Sequence, residues 1–519
     1  MGAILLCWFV LAGCSSGPAP ASSASPNDGA GVERVEPAPL GTPPAGMVAE
    51  AVAELPVRVA DVRTINFRRH RVSSTAEYSL PEPAYPLGAT FALDRETVLR
   101  AAGLEPISEI RVVVRAYDGE GDHIASVRSV PARATHRETR VDDGWRWVDL
   151  STLGFASRVE IEVVATRPRG PADILGASDD RSERDEPSEP LVSPSILVDR
   201  LAVADSRPIA EEYFTIAVLP DTQKYSESYP EIFLAQTRYL GAVADEERIV
   251  FVSHVGDIVE NGENEAEWRL ADRAMEELDG VVPYGVVIGN HDFLDEFGDP
   301  FAGSPFFRRY FPEERFTSYR WFGEFSEDGL SSYQIIDADG LRLLFLHLSV
   351  DTPPATLEWA RRVLRRHPDR SVVVTTHVYL REHGRIPKPY LWGSGNASWN
   401  GLSSEEFFQT FVAEEPQVFM VLCGHISSEK LQVSRNAGGM PVYELLQDYQ
   451  NRESGGEGFL RLLRFYPTRN EVRAITYSPW LREYEVDADS HFTFDLDFER
   501  LKPGGHRRSQ LARRGRSHR

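Results

Sequence analysis

Between residues 215 and 425 the chain repeats one arrangement that few folds can house: an apolar segment of strand length running straight into a residue able to hold a metal or move a proton. Residues 215–219 lead to Asp221, Thr222 and Gln223, and 249–255 to Gly256 and Asp257. Residues 284–288 lead to Gly289, Asn290, His291 and Asp292, 371–376 to His377, and 418–423 to Gly424 and His425. Helical periodicity separates these segments over 230–243 and 265–278. A capping box at Ser403, Ser404, Glu405 and Glu406 opens a further helix whose Phe407, Phe408, Phe411 and Val412 face inward. Strands alternating with helices predict an α/β domain over 211–499, and open α/β sheets gather ligands beyond the C-terminal ends of their strands. One strand-end His or Asp is an ordinary loop cap, whereas a series in this order puts a whole set of donors on one rim. Further strands at 442–449, 459–465, 472–477 and 492–498, with no helices between them, predict a second sheet.

In this order the residues resemble the signature of the calcineurin-like metallophosphoesterases, which reads DxH, GD, GNHD or GNHE, a lone His, and GHxH. The likeness covers about residues 213–480 and is greatest to a bacterial group beginning PDTQ, here Pro220 to Gln223. LLQDYQ (445–450), GFLRLLRF (458–465) and TYSP (476–479) add to it. The resemblance implies a two-sheet metallophosphoesterase sandwich flanked by helices. It also implies that Asp257 bridges two divalent cations roughly 3.5 to 4 Å apart, with Asn290, His377 and His425 completing one site and Asp221 belonging to the other. Activated water would attack phosphorus in line, with His291 as the acid and Asp292 orienting its imidazole.

The chain departs from that signature on one side only, because Gln223 stands where DxH has its His and Ser427 where GHxH has its second. Amide and hydroxyl oxygens are poorer donors to transition metals than imidazole. The resemblance and its departures together predict one tightly held ion, suited to Mn, Fe or Zn. A second, weaker site of Asp221, Asp257, the Gln223 carbonyl and water would favour a harder cation such as Mg. Asp448 and Gln450 are candidates to replace a missing ligand. His254 and His347 read as satisfied core histidines and Cys423 as a buried strand residue.

The N-terminus carries a separate message. Residues 3–13 are apolar, too short to span a bilayer, and end in Leu11-Ala12-Gly13-Cys14, which resembles a bacterial lipobox. That resemblance implies a signal peptide over 1–13, lipidation of Cys14, and a protein held by acyl chains in the bacterial cell envelope, periplasmic or at the cell surface. Only Cys423 remains outside the first 14 residues, so no intramolecular disulfide framework is expected. Residues 14–50, rich in Pro, Ser, Ala and Gly, read as a tether, since they have too little to bury to offset the entropy of ordering. Alternating apolar residues at Ile110, Val112 and Val114, the DGEGD turn (118–122), then Ile124, predict a hairpin. With Val159, Ile161, Val163 and a closing strand at 195–204, it predicts an all-β sandwich over 51–205, weakly similar in layout to galactose-binding-like jelly rolls. Trp145 and Trp147 there are candidates for stacking on a glycan, although strand tryptophans are more often core. The acidic run 179–189 reads as a solvated loop and 500–519 as a basic tail.

Composition limits the rest. At 42% hydrophobic and 26% charged the chain is neither fibrous nor a multi-span membrane protein, and a net charge of −23 argues against nucleic acid as a partner. The reading is therefore hydrolysis of phosphomonoesters or phosphodiesters, with a phosphate ester as substrate and the membrane reached through the N-terminal lipid. Its rivals are a phosphate- or partner-binding pseudoenzyme with an incomplete dinuclear site, and a carbohydrate-binding surface protein.

Overall fold

The computed structural model of the chain describes residues 52–56, 71–93, 109–134, 139–141, 146–166, 196–204, 212–294, 304–389 and 401–503. The expectations for the leader and Cys14, the tether, Trp145, the acidic run, and the tail from 504 lie outside the described residues. In the N-terminal part the strands are β1 (Val52–Pro56), β2 (Arg71–Leu93), β3 (Glu109–Tyr117), β4 (His123–Ala134), β5 (Thr139–Val141), β6 (Arg146–Asp149), β7 (Ala156–Thr166) and β8 (Ile196–Ala204). Asp118 closes the β3–β4 hairpin by accepting the N–H groups of Glu120 and Asp122 through its carboxylate at 3.0 and 2.8 Å. β2 pairs with β7 along Arg71–Ser79 and with β8 along Tyr85–Leu93, so one long strand passes from one ladder to another. Trp147 sits in β6, in register with Thr90 of β2.

The α/β domain starts with β9 (Phe214–Leu219), β10 (Ile249–His254) and β11 (Tyr284–Val286), which are mutually parallel. Around them lie α1 (Gln223–Ser228), α2 (Pro230–Ala242) and α3 (Glu265–Met275), the last capped by the Asn264 side chain on the Ala266 N–H. The second sheet holds β12 (Phe322–Phe325), β13 (Ser332–Ala338), β14 (Leu341–His347) and β15 (Ser371–Val378). After the small hairpin of β16 (Leu380–Arg381) and β17 (Gly384–Arg385), it is completed by β18 (Val418–Gly424), β19 (Glu429–Arg435) and β20 (Pro441–Gln447). Its order is β12-β13-β14-β15-β18-β20-β19. α4 (Pro354–Arg366) and α5 (Ser404–Phe407) cover its outer face, and α5 opens with the predicted capping box before passing into a π-turn over Phe408–Val412.

The layers follow from which side chains are apolar on which face. Phe214, Ile216, Val218 and Phe251 of the first sheet share one buried cluster with Leu343, Phe345, Val373 and Leu422 of the second, and Phe251 stacks on Phe345. Trp268, Met275 and Leu240 fill the space between the first sheet and its helices, while Leu357, Val363, Phe407 and Phe411 do so outside the second. At about 1.5 to 3 kcal/mol for each large apolar side chain buried, these three interfaces hold the sandwich together. The result is a mixed α/β fold of helix, sheet, sheet and helix, as expected.

Two expectations are corrected. The strands after 440 do not form a sheet of their own: β20 joins the second sheet, whereas β21 (Leu460–Tyr466), β22 (Glu471–Ser478), β23 (Glu483–Glu485) and β24 (Phe492–Asp495) extend the first, with β21 antiparallel to β9. Nor does the tail begin at 500. Arg500 and Leu501 are buried, because the Arg500 guanidinium donates to the Pro441 and Val418 carbonyls and the Ser371 hydroxyl donates to the Leu501 carbonyl. The sheet also runs on into the N-terminal part, where β23 pairs in parallel with β4 and the buried Arg128 donates to Glu457 at 2.8 and 3.1 Å.

Candidate metal centre

Parallel strands end on the same side of a sheet, so β9, β10 and β11 in one sheet and β15 and β18 in the other deliver the residues at or just beyond their C-terminal ends to a common rim. Asp257 sits there with φ 48, its Oδ1 accepting the His291 N–H at 2.9 Å and its Oδ2 3.1 Å from His377 Nε2. Asn290 Oδ1 is also 3.1 Å from His377 Nε2, and His377 Nδ1 is 3.0 Å from the Val255 carbonyl oxygen. A carbonyl only accepts, so Nδ1 carries a proton; without a cation a second proton on Nε2 satisfies the two oxygens, and with one Nε2 would turn its lone pair to the metal. Asp257, His377 and His425 each offer an atom within 4.8 Å of the others. Three acceptors edge to edge at this spacing fit one divalent cation with bonds of about 2 Å.

The glycines of the motifs follow from the same crowding. A Cβ at Gly289 would lie 2.1 Å from Asp257 Oδ1, and one at Gly424 would lie 2.0 Å from Asp221 Oδ1. Only a residue without a side chain lets these loops approach the carboxylates so closely.

On the other side of the centre, Asp221 Oδ2 accepts the His425 N–H at 2.8 Å, and its Oδ1 is buried with no hydrogen-bond partner among the described residues. Gln223 Oε1 is in the same condition, while its Nε2 donates to Glu260 Oε2 at 2.7 Å. Unpartnered buried oxygens cost about 1 to 3 kcal/mol each, and a cation would relieve both. Ser427 Oγ instead accepts the Asn451 N–H at 3.2 Å. Gln450 presents its amide nitrogen to Asp448 Oδ2 at 3.0 Å, the His425 carbonyl at 3.2 Å and Asp221 Oδ2 at 3.4 Å. So placed, Gln450 is a donor that ties two carboxylates together rather than the replacement ligand considered from the sequence. Asp448 is buried beside it, with both oxygens accepting from Gln450.

Electrostatics describe a centre built for positive charge. Burial, then Asp448 and Asp257, push the Asp221 carboxyl well above the usual range, and burial lifts Asp448 to about 6 despite its Gln450 donors. Burial opposes ionisation of Asp257 as well, but His377 and its neighbouring imidazoles hold it down to about 2. His377 is raised, since Asp257 outweighs the burial that would lower it. His425 is lowered to about 3 by burial and by His377, which leaves a neutral ring fit for ligation.

His291 is partly exposed at the rim, with its Nδ1 2.9 Å from the Glu260 carbonyl oxygen. The expectation that Asp292 orients this ring is corrected. Asp292 accepts the N–H groups of Ile258, Val259 and Gly289 at 2.8, 3.0 and 2.8 Å, so it joins the loops after β10 and β11. It is lifted to about 7 by burial and the Asp257 charge. His254 and His347 are core residues: His254 contacts Thr222 Oγ1 at 2.9 Å and His347 contacts Ser253 Oγ at 3.0 Å. Cys423 is buried in β18. Glu260 went unforeseen, although its position three residues after the Gly-Asp pair keeps it beside the rim.

A two-sheet α/β sandwich with carboxylate, amide and imidazole donors at its strand ends defines a metallophosphoesterase fold, and residues 214–428 match the calcineurin-like phosphoesterase family. Along its sequence the chain is similar to the uncharacterized protein YvnB of Bacillus subtilis (strain 168), at 33% identity over 314 residues, which are 58% of this chain and 23% of that protein. The chain thus spans less than a quarter of the length of that relative. Among solved structures it is similar to a dimetal phosphatase from Danio rerio, at 14% identity over 55% of this chain and 99% of that one, with a TM-score of 0.34. A purple acid phosphatase from yellow lupin (Lupinus luteus) seeds gives 12% identity over 83% and 75% of the two chains, with a TM-score of 0.37.

Proposed function

We propose that the chain hydrolyses phosphomonoesters or phosphodiesters with divalent metal ions, as an exported protein anchored by lipid in a bacterial cell envelope. The observation that carries this is the convergence of Asp257 Oδ2, Asn290 Oδ1 and His377 Nε2 within 3.1 Å, a cluster in which a divalent cation would replace the proton that otherwise bridges the ring to the oxygens. Asp257, Asn290, His377 and His425 would hold the tighter ion, and Asp221 and Gln223 would hold the weaker one. Bound divalent cations supply an acidified water and positive charge against the phosphoryl oxygens. The residues themselves position and move protons. The Val255 carbonyl holds a proton on His377 Nδ1 and the Glu260 carbonyl does the same on His291 Nδ1, so that when the His291 ring carries a second proton, on Nε2, that proton is the one it can pass to a leaving oxygen.

Purified protein given a generic aryl phosphate and its diester with Mn²⁺ tests the reading. Turnover that disappears with chelator and with Asp257→Ala supports it. Phosphate binding without turnover would establish the pseudoenzyme reading, which the substitutions at Gln223 and Ser427 favour. Anchoring rests on the Leu11-Ala12-Gly13-Cys14 string and the tether behind it. Cys14→Ser should release the protein from the membrane fraction, and continued retention of the unacylated variant would sink the anchor.

A further inference from the structure

We propose that Glu260 is a positioning residue that fixes the side-chain amide of Gln223 so that its oxygen serves as a ligand for a hard divalent cation on the Asp221 side of the centre. This rests on the metal-dependent reading above. An amide has two unlike ends, and which one faces the centre decides whether it binds or repels a cation. Here the NH₂ end lies 2.7 Å from Glu260 Oε2, and an ionised carboxylate accepts only, so the oxygen must be the other end. That oxygen is buried and has no partner among the described residues, while Asp221 Oδ1, two residues earlier in the chain, is buried and unpartnered as well.

Glu260 is itself held on every side. Its Oε1 accepts from Lys224 Nζ at 2.6 Å, its N–H donates to Glu267 Oε2 at 2.9 Å, and its carbonyl oxygen lies 2.9 Å from His291 Nδ1. The carboxylate cannot swing away without abandoning an ion pair, and the amide cannot flip without setting oxygen against oxygen. One residue therefore orders the weaker ion site through its side chain and the acid candidate through its backbone. A neutral amide oxygen is a hard donor, so the cation class is Mg²⁺ or Mn²⁺ rather than a softer ion.

The test is calorimetric and electron-paramagnetic-resonance titration of chelator-treated full-length protein with Mn²⁺, which reads binding independently of turnover. Wild type should take a tight and a weaker equivalent. Glu260→Gln leaves the backbone carbonyl under His291 but no longer dictates which amide end points inward. It should weaken the second equivalent by about 10- to 100-fold and leave the first unchanged. Gln223→Leu, which removes the oxygen and keeps Glu260, should show the same loss and carries the test should Glu260→Gln not fold. The reciprocal exchange Gln223→Glu with Glu260→Gln turns one carboxylate oxygen inward while the other accepts from the amide now at 260, and should restore the second equivalent. A second equivalent as tight in both single variants as in wild type overturns the role of Glu260 while leaving the metal-dependent reading intact. A wild type that binds no Mn²⁺ at all overturns both.

Discussion

His377 Nδ1 lies 3.0 Å from the Val255 carbonyl oxygen, and this single contact commits Nε2 to the face it shares with Asp257 and Asn290. Val255 is the residue after β10 and His377 lies in β15, so the contact also pins one sheet to the other at the rim. His377→Ala should strip the tighter ion, lower kcat by more than about 100-fold, and leave the fold intact by circular dichroism. Asp257→Ala should do the same, because its Oδ2 lies in the same cluster with His377 and His425. Elemental analysis after dialysis reads the ion directly. Full metal retention in either variant would show that the donors were misassigned.

His291 should separate chemistry from metal binding. Its Nδ1 meets the Glu260 carbonyl oxygen at 2.9 Å and the part-exposed Glu260 carboxylate only at 3.8 Å, so removing the ring leaves the buried carboxylates of the centre in place. His291→Ala should keep its metal and lose about 10²- to 10⁴-fold in kcat on an ester with a poor leaving group, with a smaller loss on an aryl ester whose leaving oxygen needs no proton. Equal losses on both substrates would contradict a role as acid.

Gly424 offers a steric test. Its φ is not in the left-handed region, yet an added Cβ would lie 2.0 Å from Asp221 Oδ1 and 2.7 Å from Val255 Cγ2. Gly424→Ala should therefore fold, at a cost of about 1 to 3 kcal/mol, while displacing the Asp221 carboxylate. Denaturant unfolding gives the stability change and Mn²⁺ titration gives the loss at the Asp221 side; unchanged binding would mean that the loop yields without moving Asp221.

Two buried rings predict acid lability. Burial holds His254 and His347 neutral, lowering each to about 3. Between there and the ordinary histidine value the unfolded chain binds protons that the folded chain does not. Unfolding free energy from these rings is thus fully present above about pH 6.5 and is lost as pH falls toward 3. The raised carboxyls of Asp292 and Asp448 act in the opposite sense in metal-free protein, favouring the folded state at low pH. Comparison with His347→Gln in the same buffer isolates the ring. The stability advantage of wild type over the variant should shrink by a few kcal/mol between about pH 7 and pH 4. A gap independent of pH would mean that His347 is not buried neutral.

The rim was legible in sequence because buried parallel strands read as unbroken apolar runs, which makes the polar residues that end them conspicuous. The hairpin of β13 and β14 escaped notice, although Asp339 and Gly340 between them, with φ 46 and 79, are a two-residue turn signal. Pairings at long range left no local trace. Glu260 meets Gln223 from 37 residues away, and β23 meets β4 from the far end of the chain. Asp292 was misread for a related reason: adjacency to His291 in sequence suggested a partnership, whereas the backbone turns its carboxylate toward the N–H groups of Ile258, Val259 and Gly289.

The two departures from the family signature can be reversed. Gln223 already has a carboxylate behind it, since Glu260 accepts from its Nε2, and an imidazole at 223 could donate one ring N–H to the same Glu260 and turn the other nitrogen inward. Ser427 is less easily replaced, because its hydroxyl accepts the Asn451 N–H and a histidine there gives up that bond. Gln223→His alone should therefore raise the metal retained through dialysis, and Gln223→His with Ser427→His should raise it further, toward two ions per chain. Added Mn²⁺ or Mg²⁺ should stimulate wild type strongly and the double variant weakly. Elemental analysis and cation-dependent turnover measured on the same samples decide the matter. Wild-type protein that keeps two ions through dialysis and ignores added cation would refute the asymmetry, and would leave Asp448, buried beside Asp221 and already joined to it through Gln450, as the residue that closes the site.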